Sequence, residues 1–97
     1  MITLVALAQA KPGKEEALKE ILLSLIPQTR QEAGCINYDL HCSLSKPSVF
    51  MFHENWADSD ALQKHSKMPY MLDLRAKVAD LLAEPLKIEL YEMISNK

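Results

Sequence analysis

Glu54, Trp56, His65 and Tyr70 bring a carboxylate, an indole, an imidazole and a phenol into one short stretch of a chain otherwise built for packing. An imidazole titrates near pH ~6.5 before perturbation, so His65 is the side chain best suited to take a proton at neutral pH. Glu54 shares strand-like alternation with Phe50, Phe52 and Trp56. If that face meets helices, Glu54 is a carboxylate in apolar surroundings; it then pairs with His65 or has a raised pKa. Trp56 could stack on a ring, and Tyr70 could donate a hydrogen bond to a carbonyl. A mostly apolar site with a few polar groups suits an aromatic or quinone-like molecule. Each residue also has a plainer reading. His65 could be a packing histidine, Glu54 a partner for Lys64 or Arg75, Trp56 a core residue, and Tyr70 a seal at a helix junction.

The elements that must hold these groups follow from periodicity. Residues 2–10 are apolar at both parities, with Ile2, Leu4, Ala6 and Ala8 on one face and Val5 and Leu7 on the other. A strand apolar on both faces is covered on both. Lys11-Pro12-Gly13 breaks it. From Lys14 the spacing is helical, with a stripe of Ala17, Leu18, Ile21, Leu22, Leu25, Ile26 and Thr29. Pro27 removes one backbone bond and predicts a kink or restart, and Gly34 ends the segment. Ile36, Tyr38, Leu40 and Cys42 then alternate with Asn37, Asp39, His41 and Ser43 as a strand. Ser45-Lys46-Pro47-Ser48 is a turn, and Val49 to Trp56 is a second strand of a hairpin. Asp58 is a good N-cap for a helix from Ser59 to about Lys67. Pro69 interrupts that helix. Helical spacing resumes with Met71, Leu74, Val78, Leu81 and Leu82, Glu84-Pro85 stops it, and Leu86 to Ile94 is a last strand.

Strand, helix, strand, strand, helix, strand is the ferredoxin-like split βαβ order, an α+β fold with a four-stranded antiparallel sheet and helices on one face. Val5, Leu7, Val49 and Met51 fall on the other face. An apolar sheet face of this size rarely stays bare, so a homodimer closing sheet against sheet into an α/β barrel is expected. His41 and His53 would sit on that face with Asn37 and Asp39, away from the ligand cavity between sheet and helices.

Composition narrows the function. The 97 residues make a single domain over 1–97, with a 48% apolar and 25% charged make-up typical of a globular chain. A net charge of −2 gives no basic footprint for nucleic acid. No apolar run reaches the ~20 residues of a membrane span. The first residues have no basic leader, so no signal peptide is read and a cytoplasmic location is expected. Cys35 and Cys42, seven apart on one strand, should point to opposite faces about 23 Å apart at ~3.3 Å per residue, beyond the reach of a disulfide. No His, Cys and carboxylate set has metal spacing. The chain also lacks a glycine-rich flavin or nicotinamide fingerprint, so any redox chemistry is expected to need no cofactor.

Several stretches carry a family resemblance: Glu32-Ala33-Gly34-Cys35-Ile36-Asn37-Tyr38-Asp39-Leu40, Phe52-His53-Glu54-Asn55-Trp56, Ala61-Leu62-Gln63-Lys64-His65 and Ser66-Lys67-Met68-Pro69-Tyr70. Over about residues 2–92 the chain resembles antibiotic-biosynthesis monooxygenase domains of the dimeric α+β barrel class, and small quinol monooxygenases above all. The resemblance implies cofactor-independent oxidation by O₂ of a quinol or other electron-rich aromatic. His65 would be the base and Glu54 would orient it. Trp56, Tyr70, Phe52, Tyr38 and Arg75 would shape the substrate slot.

The haem-degrading branch of the family has a tryptophan where this chain has His65, and a haem-ligating histidine later on. Leu72 to Lys77 contains no histidine, which argues against that branch. Family relatives leave two alternatives open. One is an isomerase of a small phosphorylated autoinducer-like ketone, for which Lys64, Lys67 or Arg75 would have to bind phosphate. The other is a non-catalytic hydrophobic-ligand-binding or stress module.

Overall fold

Alternating apolar residues and the breakers between them set the order of elements. The structure is a computed structural model that describes residues 1–95. Along the chain come β1 (Ile2–Gln9), α1 (Glu15–Ser24), α2 (Ile26–Arg30), β2 (Cys35–Cys42), β3 (Val49–Trp56), α3 (Ser59–Ser66), α4 (Pro69–Val78) and β4 (Lys87–Tyr91). The strands form one antiparallel sheet in the order β2-β3-β1-β4, with helices on one face. This is the ferredoxin-like α+β arrangement expected from the sequence. Pro27 falls in the first turn of α2, where its missing N–H costs nothing, so the first helical segment restarts there. Asp58 caps α3 by accepting a hydrogen bond from the Ala61 backbone at 2.9 Å. Pro69 opens α4 from an extended Met68.

The core lies between the sheet and the helices. Leu4, Ala6 and Ala8 of β1 and Phe50, Phe52 and Trp56 of β3 meet Leu18, Leu22, Leu25, Ala61, Leu74 and Val78 of the helices. Burying one large apolar side chain contributes roughly 1.5–3 kcal/mol, and Trp56 and Tyr38 are both essentially inaccessible. Glycine is required at one junction. Gly34 has φ +88°, and a Cβ there would lie 2.5 Å from the Ala61 Cβ. Its carbonyl accepts the Ala57 N–H at 2.8 Å, which ties the start of β2 to the entry of α3.

Three details differ from the periodic reading. The second long helix ends at Val78, not near Leu82. Leu82 instead bridges to Ala10, Lys11 donates to the Leu81 carbonyl at 2.9 Å, and Ala83 donates to the Gln9 carbonyl at 2.8 Å, so strand-like bonds replace the last helical turn. The last strand stops at Tyr91, which pairs with Thr3 near the start of β1; beyond it β1 has almost no residues left to pair. A bulge also interrupts β2 between Cys35, which pairs with Trp56, and Asn37, which pairs with Asn55. The extra residue is Ile36, left 56% exposed rather than in line with Tyr38. The bulge resets parity. Cys35 and Cys42 pair with Trp56 and Phe50, two residues of one sheet face, so the expectation of opposite faces fails; both thiols are free.

The open sheet face is divided. Val5, Leu7, Val49 and Met51 make its apolar part, and all but Leu7 are half-buried. The rest is a polar network. Thr3 Oγ1 donates to Asn55 Oδ1, and Asn55 Nδ2 to Asn37 Oδ1, both at 2.6 Å. Asn37 Nδ2 donates to Asp39 and to the His53 carbonyl, both at 3.1 Å. Arg30 meets Asp39 at 2.8 Å. Among the described residues, no helix is long and apolar enough to cross a membrane.

Candidate active site

Strand alternation points Phe52, Glu54 and Trp56 toward the helices, and Tyr38 of β2 sits beside them opposite Glu54 in register. α3 contributes His65, one turn after Ala61 on the same buried face. The loop before β2 contributes Glu32, and α4 contributes Tyr70 and Arg75.

His65 is nearly sealed, at 3% exposure. Its Nδ1 lies 2.9 Å from Glu32 Oε2, and both side chains are buried. The Tyr70 hydroxyl donates to the same Glu32 oxygen, and Thr29 Oγ1 lies 3.2 Å from the Tyr70 hydroxyl. With this Glu32 oxygen accepting from Tyr70, the imidazole tautomer that also donates to it carries its proton on Nδ1 and its lone pair on Nε2. The Trp56 ring lies tilted against the imidazole at 4.6 Å between centroids, and Tyr38 approaches edge-on at 5.6 Å.

Glu54 does not touch His65. Its Oε1 accepts the Trp56 indole N–H at 2.9 Å, and the residue is 4% exposed. Burial pushes its carboxyl up to about 7; the nearby Glu32 charge adds to the rise and the Trp56 hydrogen bond opposes it. Of the two sequence-based alternatives for Glu54, the raised pKa is therefore found. The carboxylate on His65 is Glu32. Burial likewise raises the Tyr38 phenol, with Glu54 adding to it, so Tyr38 is a neutral phenol. Burial raises the Cys35 thiol as well, with Glu32 and Glu54 contributing.

A cavity of about 110 Å³ lies between the sheet and the helices. His65, Glu54, Phe52, Tyr38 and Arg75 all line it, among aliphatic side chains from β1, α1, α4 and the β4 region. Arg75 is exposed at its edge and donates to the Ser66 carbonyl at 3.3 Å. Trp56 and Tyr70 do not line it. Trp56 is fully buried behind His65 and Glu54, in contact with both. Tyr70 borders a separate depression of about 190 Å³ between α1, α2 and α4, with Gln28, Asp73 and Lys77. Trp56 thus touches two groups that line the cavity, and Tyr70 touches the Glu32 carboxylate behind one of them. His53 and His41 lie on the open face with Asn37 and Asp39, paired to Asp39 and Met51.

Two atoms open into the cavity. His65 Nε2 and Glu54 Oε2 make no hydrogen bond among the described residues. Yet no sealed side-chain nitrogen or oxygen there lacks a partner, so both atoms must reach the open space that their side chains line. No cluster of three metal-ligating side chains occurs among the described residues.

Periodicity did not single out Glu32 or Thr29. Glu32 lies 33 positions before His65 in irregular chain, and Thr29 reads as one more member of the helical stripe. The available pointer to Glu32 was its place at the head of the first resemblance stretch.

A four-stranded antiparallel sheet with helices on one face, enclosing a small apolar cavity lined by an imidazole and a carboxyl, defines a ferredoxin-like α+β domain. Residues 1–77 match the antibiotic biosynthesis monooxygenase family, and the chain belongs to it. An uncharacterized protein of Synechocystis, sll1783, is 32% identical over 89 residues; these are 92% of this chain but 60% of that protein. YcnE of Bacillus subtilis, which carries the name of a candidate monooxygenase, is 31% identical over 96% of this chain and 98% of its own. The crystal structure of PA3566 from Pseudomonas aeruginosa superposes with a TM-score of 0.92 at 34% identity, covering 97% of this chain and 94% of that one. Family membership supports a monooxygenase-like function in general.

Proposed function

We propose that the protein is a cofactor-independent monooxygenase that uses O₂ to oxidise a quinol or similar electron-rich aromatic. The observation that carries this reading is His65, held at Nδ1 by the buried Glu32 carboxylate with Nε2 open to an apolar cavity. A quinol must lose a proton before the electron-rich anion can reduce O₂. Nε2 is the acceptor, and Glu32 stabilises the imidazolium that forms. Tyr70 and Thr29 hold Glu32, and Trp56 and Tyr38 fix the imidazole plane. Phe52 and the aliphatic walls exclude water, which strengthens these electrostatic effects.

The cavity, at about 110 Å³, is smaller than the ~150 Å³ apolar cavity that admits benzene in an engineered protein. It can hold one ring at most, and any further part of the ligand projects past Arg75. Among the described residues, Arg75 is the single cationic side chain lining it; Lys64 and Lys67 are exposed and do not. That favours an aromatic over the phosphorylated ketone of the isomerase alternative. The working form is a cytoplasmic homodimer joined through the Val5, Leu7, Val49 and Met51 face, and the two free cysteines fit a reducing compartment.

The test is oxygen uptake by metal-free protein with a panel of reduced quinols. Wild type should exceed the autoxidation background. His65→Ala and the less disruptive His65→Gln should abolish the excess, and Glu32→Gln should lower kcat by about 10²-fold or more. A flat trace for every quinol would refute the reading. Oxygen-independent proton exchange would indicate the isomerase, and saturable binding without turnover the binding module.

A further inference from the structure

The cavity holds two acid–base groups that serve separate partners. His65 is tied to Glu32, while Glu54 is tied through one oxygen to the Trp56 indole and opens its other oxygen to the cavity. No cation lies within ion-pair distance of Glu54 among the described residues. The titratable and charged groups facing it are Tyr38 and the Cys35 thiol from β2, His65 from α3 and Arg75 from α4, with Glu32 behind His65. β1, β4 and α1 present aliphatic side chains there. A carboxyl in such surroundings is held neutral at moderate pH, because charging it would leave a buried, unpaired anion.

We propose that Glu54 is the acid of this site and gives its proton to the oxygen anion formed when O₂ adds to the substrate ring. This rests on the monooxygenase reading above. For a single-ring hydroquinone the steps balance. One quinol hydroxyl loses its proton to His65 Nε2. The anion gives two electrons to O₂ in one-electron steps, and a C–O bond forms, leaving a peroxide anion on a ring carbon. Glu54 protonates the terminal oxygen to give the hydroperoxide. The resulting Glu54 carboxylate removes the hydrogen of that ring carbon as a proton while the O–O bond breaks. The departing hydroxide takes the proton held on His65 and leaves as water. The sum is hydroquinone plus O₂ giving hydroxyquinone plus water, with both residues restored and no outside reductant. With two groups, the proton taken by His65 and the proton given by Glu54 need not be relayed in turn by one imidazole.

The test uses a methyl-substituted hydroquinone and measures oxygen uptake and released hydrogen peroxide together, after subtraction of the His65→Ala background. Wild type should be coupled at pH 6. It should release peroxide increasingly as pH rises through about 7, where Glu54 ionises. Glu54→Gln keeps an acceptor for the Trp56 N–H but cannot give up a proton. It should still consume O₂ while its peroxide release per turnover rises about tenfold or more, with no further pH dependence. Glu54→Asp should recover part of the coupling. If wild type shows no pH-dependent peroxide release, or Glu54→Gln stays coupled, the proposal is overturned and the monooxygenase reading survives. If wild type shows no protein-dependent uptake at all, both fall. The wild-type pH series needs no Glu54 variant, so it decides the matter even if Glu54→Gln does not fold.

Discussion

Glu54→Gln should make this protein more stable at alkaline pH and change it little under acid conditions. The folded carboxyl is raised from an ordinary value of 4.5 to about 7. Between those values the folded state holds a proton that the unfolded state has lost. Unfolding is then favoured as pH rises, and wild type loses stability from about pH 4.5 until Glu54 is ionised in both states. At 1.36 kcal/mol for each pKa unit, the shift corresponds to about 3 kcal/mol. The residue is 4% exposed, so solvent screening does little to reduce this.

Glutamine has nearly the same shape and never charges. Its carbonyl can still accept the Trp56 indole N–H, so the variant separates the charge from the packing. The assay is urea unfolding of both proteins at pH 5, 6, 7 and 8 and equal protein concentration, since association would add its own stability. Tyr38 and Cys35, which feel the Glu54 charge, are both raised and stay protonated in the folded state over this range; the groups that do not feel Glu54 cancel in the difference. Relative to wild type, the variant should gain about 2.5 kcal/mol between pH 5 and pH 8, most of the full shift. In thermal unfolding of a domain this size, that is a relative shift of roughly 10–20 °C. A difference flat with pH to within about 0.5 kcal/mol, less than half a pKa unit, would refute the account of Glu54 as a carboxyl raised by burial.

Two further expectations concern the scaffold. Gly34→Ala would bring a methyl to 2.5 Å from the Ala61 Cβ at a φ of +88°. Crowding and backbone strain together should cost about 2–5 kcal/mol, and a second change, Ala61→Gly, should recover part of that loss in urea unfolding. Met51→Asp places a charge on the open sheet face. If that face joins two copies, sedimentation should show wild type at twice the 11.0 kDa chain mass and the variant as a single chain; a monomeric wild type at micromolar concentration would refute the dimer.

Much of the fold was readable because it rests on short-range rules. In β3, Phe50, Phe52, Glu54 and Trp56 occupy every second position, so all four share one face, the one the helices bury. Asp58 caps α3 through a bond three residues away. Pro27 and Pro69 restart helices because a missing N–H is harmless in a first turn. The errors fall where a distant partner overrides the local pattern. Leu82 has helical spacing but pairs with Ala10. The β2 bulge at Ile36 depends on register against β3, and it moved the cysteines onto one face.

The site divides along the same line. Alternation put Glu54 on one strand face with Phe50, Phe52 and Trp56, and the family resemblance rather than periodicity picked out His65 as the base. They could not say which carboxylate meets which partner. That required the loop before β2 to fold back over α3, bringing Glu32 to His65 across 33 positions and leaving Glu54 to Trp56. Periodicity records which way a side chain points from its own element. Which side chains meet is decided by how the elements pack, and here that packing separates a carboxylate–imidazole pair from a buried carboxyl with no cationic partner.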